Sequence, residues 1–132
     1  MDDPKVMRII SELRKVGLTN PRPHMSIIKA LAKYLHSTES IGGVVYGRYG
    51  SGTGFAWLVA TDKRIILIDK KPLFETVDEL TYDIISGIKF TRAGFYGTVI
   101  LHTRIGDYSI KFINRRCAKI FFQYIETRRM EA

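Results

Sequence analysis

Phe55-Ala56-Trp57-Leu58-Val59-Ala60-Thr61-Asp62-Lys63-Arg64-Ile65-Ile66-Leu67-Ile68 is the stretch on which the fold class turns. Phe55, Trp57 and Val59 alternate with Ala56, Leu58 and Ala60, the period of two of a strand with two distinct faces. Ile65 to Ile68 is a short, mostly β-branched apolar run of the kind buried on both faces. Thr61-Asp62-Lys63 between them reads as a tight turn, because Thr and Asp side chains bond their own backbone. Residues 54–69 are therefore a β-hairpin at the centre of something well covered.

Strand signals continue on both sides of it. Ile41–Tyr49 precedes it, and Val77–Tyr82, Gly87–Thr91, Thr98–Thr103 and Asp107–Ile113 follow, the last with Tyr108, Ile110 and Phe112 alternating with polar residues. Seven strands at this spacing predict an antiparallel sandwich or barrel, residues 40–113, in two sheets. Before and after them the period is helical. Val6, Ile9, Ile10 and Leu13 form one stripe, with Asp3 placed as N-cap, Pro4 at the first turn and Gly17 at the stop. Asn20-Pro21-Arg22-Pro23 breaks the chain, and a second helix runs from about His24 to His36 with Ile28, Leu31, Ala32 and Leu35 on one face. At the other end Asn114 caps a helix whose Cys117, Ile120, Phe121, Tyr124 and Ile125 make a wide apolar stripe, suited to covering an open edge or mouth of the sheet.

The expected architecture is mainly β (α+β). A helical hairpin, residues 1–39, precedes a domain, residues 40–132, of seven antiparallel strands capped by one helix. That order is the order of a pleckstrin-homology (PH) domain. Glu39-Ser40-Ile41, Ala60-Thr61-Asp62-Lys63-Arg64-Ile65-Ile66, Tyr82-Asp83-Ile84-Ile85-Ser86-Gly87-Ile88 and the terminal helix resemble the bacterial PH-like family of the YokE type, over about residues 24–129. The resemblance implies a PH-like barrel and a role as a binding or assembly module.

Chemistry-bearing patterns weigh against an enzyme. Gly50-Ser51-Gly52-Thr53-Gly54 lacks the Lys-Ser/Thr pair and the following helix of a phosphate loop, so its glycines read as a turn. His24, His36 and His102 lie in three elements at no metal-ligand spacing, and no cofactor or metal site is expected. Cys117 sits on an apolar stripe, the place of a buried core thiol. Asp78 and Glu79 point to opposite faces of one strand, which leaves no acid/base pair and no catalytic residue to name.

Charge is the informative feature. Twenty-one basic against 13 acidic residues give a formal net charge of +8, which favours anionic partners. Arg115-Arg116 sits in the first turn of a helix, where cations oppose the helix dipole; a bound anion, or an acidic partner such as Glu75 or Asp78, would relieve this. In PH domains the turns after strands one, three and six gather at one end. Carried over by resemblance, this brings together Arg48, Lys70, Lys71 and Arg104 with Leu73 and Phe74 as an anion or membrane contact. Tyr49 to Val59 holds no basic residue, a departure from phosphoinositide-binding PH domains. Phe95 and Tyr96, after Arg92, are the one pair of aromatics suited to stacking on bases, so nucleic acid ranks below protein and lipid. The expected partners are a second copy of the chain, a further protein, or an anionic lipid surface. The apolar stripe of Val6, Ile9, Ile10 and Leu13 is the reason to expect a homo-oligomer. An acidic, polar N-terminus and a single cysteine suggest a reduced, cytoplasmic setting.

Overall fold

The computed structural model describes residues 3–50, 54–70 and 74–131, the side chain of Lys70 left aside. Helices α1 (Pro4–Lys15) and α2 (Met25–Tyr34) come first, joined through a short 3-10 turn at Arg22–His24. Strands β1 (Ile41–Tyr49), β2 (Phe55–Thr61), β3 (Ile65–Lys70), β4 (Glu75–Leu80), β5 (Ile85–Ala93), β6 (Tyr96–Thr103) and β7 (Gly106–Phe112) follow, and α3 (Arg115–Glu131) closes the chain. Among the described residues, no helix is long and apolar enough to cross a membrane.

The strands make one seven-stranded antiparallel sheet, ordered β4-β3-β2-β1-β7-β6-β5, and not the two sheets expected. β1 is the reason. It pairs with β2 along most of its length and with β7 only at Arg48–Lys111 and Tyr49–Ile110, so the two halves join at a narrow seam. The sheet has two faces and each carries its own core. Inside the barrel, Val45, Leu58, Leu67, Val99, Leu101, Ile110 and Phe112 meet Phe121 and Ile125 of α3. On the outer face, Val44, Trp57, Val59, Ile66 and Ile68 meet Ile9, Leu13, Ile28 and Leu31 of the helical hairpin. That is why β2 and β3 are apolar in nearly every position.

Trp57 is fully buried, under the hairpin rather than inside the barrel, stacked on Tyr46 with His24 edge-on, whereas Phe55 on the same face is half exposed. The stripe offered as a reason for self-association is spent within the chain. Ile9 and Leu13 are fully buried on the sheet, and Val6 and Ile10 are half-buried beside them.

α3 packs closely against β1. Its Asn114 cap accepts from the Cys117 N–H at 3.1 Å. A Cβ on Gly43 would stand 2.8 Å from the Cα of Phe121, so only a residue without a side chain allows this approach.

The hairpin is fastened by one buried carboxylate. Glu39, fully buried after α2, takes both Nε (3.0 Å) and Nη2 (2.8 Å) of Arg64, the His36 N–H (2.9 Å) and the Thr61 hydroxyl (2.6 Å). Burial pushes its carboxyl up, but these four donors outweigh it and hold it at about 2. Arg64 also donates to the Tyr34 carbonyl at 2.7 Å and pairs with Glu79 at 3.3 Å. Thr61 accepts from Lys63 N–H and Arg64 N–H as expected, while Arg64 ties α2 to the β2–β3 hairpin.

Candidate functional site

The β5–β6 connection is a two-residue turn, Gly94-Phe95, between the paired Ala93 and Tyr96. Gly94 has φ 63° and no other residue of the turn has a positive φ, the Gly-first hairpin turn that suits the twist of the flanking strands. Phe95 is thereby driven to the tip, where it is 89% exposed. Gly97 pairs with Phe112, which sets Tyr96 beside Ile113 in the link between β7 and α3, and Ile113 is 80% exposed. Three apolar side chains, Phe95, Tyr96 and Ile113, therefore crown one end of the sheet.

Cations flank that crown on both faces. On the outer face a cleft of about 400 Å3 is lined by Tyr46, Arg48, Phe55, Tyr96, Lys111 and Ile113. Lys111 Nζ stands 4.1 Å over the Tyr96 ring, a cation–π contact that leaves its charge at the rim. On the other face, between β5 and α3, a cleft of about 520 Å3 is lined by Phe90, Arg92, Arg115, Arg116, Lys119 and Phe122. Strand parity explains the division, since Phe90 and Arg92 point to the α3 side and Lys111 and Ile113 away from it. Among the described residues, no carboxylate lines either cleft. Among the described residues, none of Arg92, Arg115, Arg116 and Lys119 has an acidic partner within ion-pair distance, and the first turn of α3 holds no acidic residue. The electrostatic oddity of Arg115-Arg116 therefore stands. Glu75 lies on β4 and accepts instead from the Tyr34 hydroxyl.

The six sequence-predicted contact residues divide. Arg48 joins the outer cleft. Arg104 does not: its main chain donates to Ile84 O and its guanidinium reaches Asp83. From Lys111, opposite Arg48, to Gly106, opposite Thr103, is five residues of β7, about 17 Å of strand. Phe74 is 60% exposed before β4. Lys71 and Leu73 lie outside the described residues, as does the side chain of Lys70.

The sequence missed Ile113, Lys111, Arg92 and Lys119 as members of one site. Gly94-Phe95 was the available signal, because a Gly-first two-residue turn fixes the register that sets Tyr96 beside Ile113. Cys117 is buried as expected, and burial pushes its thiol up to about 12, favouring the protonated form.

A seven-stranded antiparallel sheet with its barrel closed by a C-terminal helix is also what comparison with known proteins returns. Residues 35–127 match the family described as Bacterial PH domain. The chain belongs to that family. A crystal structure of a DUF1696 family protein with a pleckstrin-homology domain from Shewanella loihica PV-4 has the same fold, with a TM-score of 0.51 and 14% identity over 80% of this chain and 95% of that one. No curated protein matches the chain. This bacterial PH domain is thus a binding module in the general sense of its family, and its ligand has to be argued from its own surface.

Proposed function

We propose that this bacterial PH domain is a non-catalytic module that docks on an anionic membrane surface by the end built from the β5–β6 turn and the β7–α3 link. The observation that carries the reading is the union at one end of three exposed apolar side chains with six cations, Arg48, Arg92, Lys111, Arg115, Arg116 and Lys119, on both flanks. Leading apolar residues enter the acyl boundary while cations meet the headgroups. Each cation near such a leaflet contributes about 1 kcal/mol and an inserted Phe roughly 1.5–3 kcal/mol. Ordering and desolvation subtract from that sum, so binding is reversible and weakened by salt. Nucleic acid accounts for the cations and for Phe95 and Tyr96, but it gives the protruding Ile113 nothing to do, since an aliphatic side chain does not stack on bases.

Co-sedimentation with phosphatidylserine vesicles at low salt tests this. Arg115→Gln/Arg116→Gln should weaken binding about 30-fold, two charges at about 1 kcal/mol each. Phe95→Ala/Ile113→Ser should weaken it further at unchanged fold. Absent binding, or binding indifferent to both variants, overturns the reading. Tight binding of a single-stranded oligonucleotide without vesicle binding assigns the same end to nucleic acid instead.

A further inference from the structure

β1 and β7 pair only at Arg48–Lys111 and Tyr49–Ile110, and the outer cleft of about 400 Å3 opens where they part. Its walls differ in kind from its closed end. Tyr46 and Phe55 stand on one side, Tyr96 and Ile113 on the other, and the lining is mostly apolar. At the closed end Arg48 and Lys111 sit directly opposite each other across the ladder, and therefore on one face of the sheet. Like charges so placed repel. The chain nevertheless allows the strands to meet there: a Cβ on Gly47 would run into the Lys111 carbonyl oxygen, so only glycine permits the approach. Among the described residues, neither cation has a carboxylate within ion-pair distance. The walls are held in advance of any ligand. Asn114 Nδ2 donates to the Tyr46 hydroxyl at 3.1 Å, and Lys111 Nζ rests over the Tyr96 ring. Arg48 is exposed and lines the cleft, and a guanidinium fork takes a carboxylate through two parallel hydrogen bonds.

We propose that this cleft binds one molecule of an amphiphilic carboxylate, of the free fatty acid class, with its head between Arg48 and Lys111 and its alkyl chain along the apolar walls. Charge complementarity chooses the head. A carboxylate placed there turns a repulsive pair into a bridge, with each cation hydrogen-bonded to the same group. The walls choose the tail, because a small polar anion would leave Tyr46, Phe55 and Ile113 facing water. The cleft is within the range of about 300–1,000 Å3 that holds small organic ligands. It runs out at the exposed Ile113, so a chain longer than the cleft continues over the crown. The inference does not rest on membrane docking, since the occupant is one dissolved molecule and the cations on the α3 side take no part.

The test is calorimetric titration of the full chain with sodium dodecanoate below its micelle concentration, without vesicles. Wild type should bind one equivalent saturably, and the bound ligand should raise Tm. Arg48→Gln/Lys111→Gln, shown by circular dichroism to fold, should bind at least about ten-fold more weakly, because hydrogen bonds to charged groups are among the stronger ones. Phe55→Ser should also weaken binding, with the head contacts intact. Sodium acetate, a head without a tail, and 1-dodecanol, a tail without charge, should each bind at least about ten-fold more weakly than dodecanoate. No saturable binding of dodecanoate overturns the proposal, and so does equal binding of dodecanol or indifference to Arg48→Gln/Lys111→Gln. Benzoate that binds as tightly as dodecanoate overturns the assignment of an alkyl chain. Vesicle binding that persists where dodecanoate fails removes the cleft ligand alone and leaves membrane docking standing.

Discussion

Replacing Glu39 by Gln changes one oxygen to an amide nitrogen at the one fully buried carboxylate of the described chain. The wild-type group receives both faces of the Arg64 fork, the His36 N–H and the Thr61 hydroxyl. The substituted amide turns an NH2 donor toward donors and leaves the Arg64 guanidinium, 14% exposed, with only the exposed Glu79 as counter-charge. Breaking a buried pair by removing one member costs about 3–5 kcal/mol. A second route gives a similar size. The Arg64, His36 and Thr61 donors hold the folded carboxyl at about 2 against 4.5 for a solvated one, which corresponds to about 3 kcal/mol. A depressed folded value means that this stability is present in full above about pH 4.5 and disappears as pH falls toward 2. The assay is thermal unfolding by circular dichroism across pH 2–7. Glu39→Gln should lower Tm at pH 7 by about 10–20 °C, taking roughly 4 °C per kcal/mol for a domain of this size. The gap between wild type and variant should then narrow steadily below pH 4.5. A drop of only a degree or two, or a gap that does not depend on pH, would refute the claim that this carboxylate fastens the hairpin.

Phe121→Ala should cost about 3–5 kcal/mol in urea unfolding, because the ring is fully buried in the barrel core; a loss near zero would mean that α3 does not close the barrel. Gly43→Ala should destabilise by about 1–3 kcal/mol although it adds one methyl, since that methyl meets the Phe121 backbone at 2.8 Å and not a side chain that can swing away; a neutral result in the same urea titration would refute the contact.

Much of this structure was legible in the residues. The switch from a period of 3.6 to 2 near Ser40, the doubly apolar Ile65–Ile68 and the Asn114 cap are local signals, and local signals survive folding. The relation between elements was not legible. Trp57 and Ala56 are both apolar, so alternation could not say that one faces a helical hairpin and the other a barrel. The single sheet hangs on two residue pairs at the β1–β7 seam, which no pattern within β1 announces. The role of Arg64 was not legible, because its partner, Glu39, is 25 residues away and no local pattern links them. The cationic end of the sheet escaped for the same reason: Arg92, Lys111 and Arg115 belong to three elements, and the register set by the Gly94-Phe95 turn helps unite them.

The seat of α3 has a consequence for how this protein is made. Cys117 belongs to the outer core and Phe121, one turn later, to the inner one. A chain emerging from the ribosome delivers the hairpin first and all seven strands next, but both cores keep a hole until residues 117–125 arrive. Neither can finish alone, so the nascent chain must wait with apolar strands uncovered and two sheet edges open. The arrival of α3 after the strands is therefore the step at which both cores can close. A translational pause or a truncation shortly before residue 117 would leave both cores open.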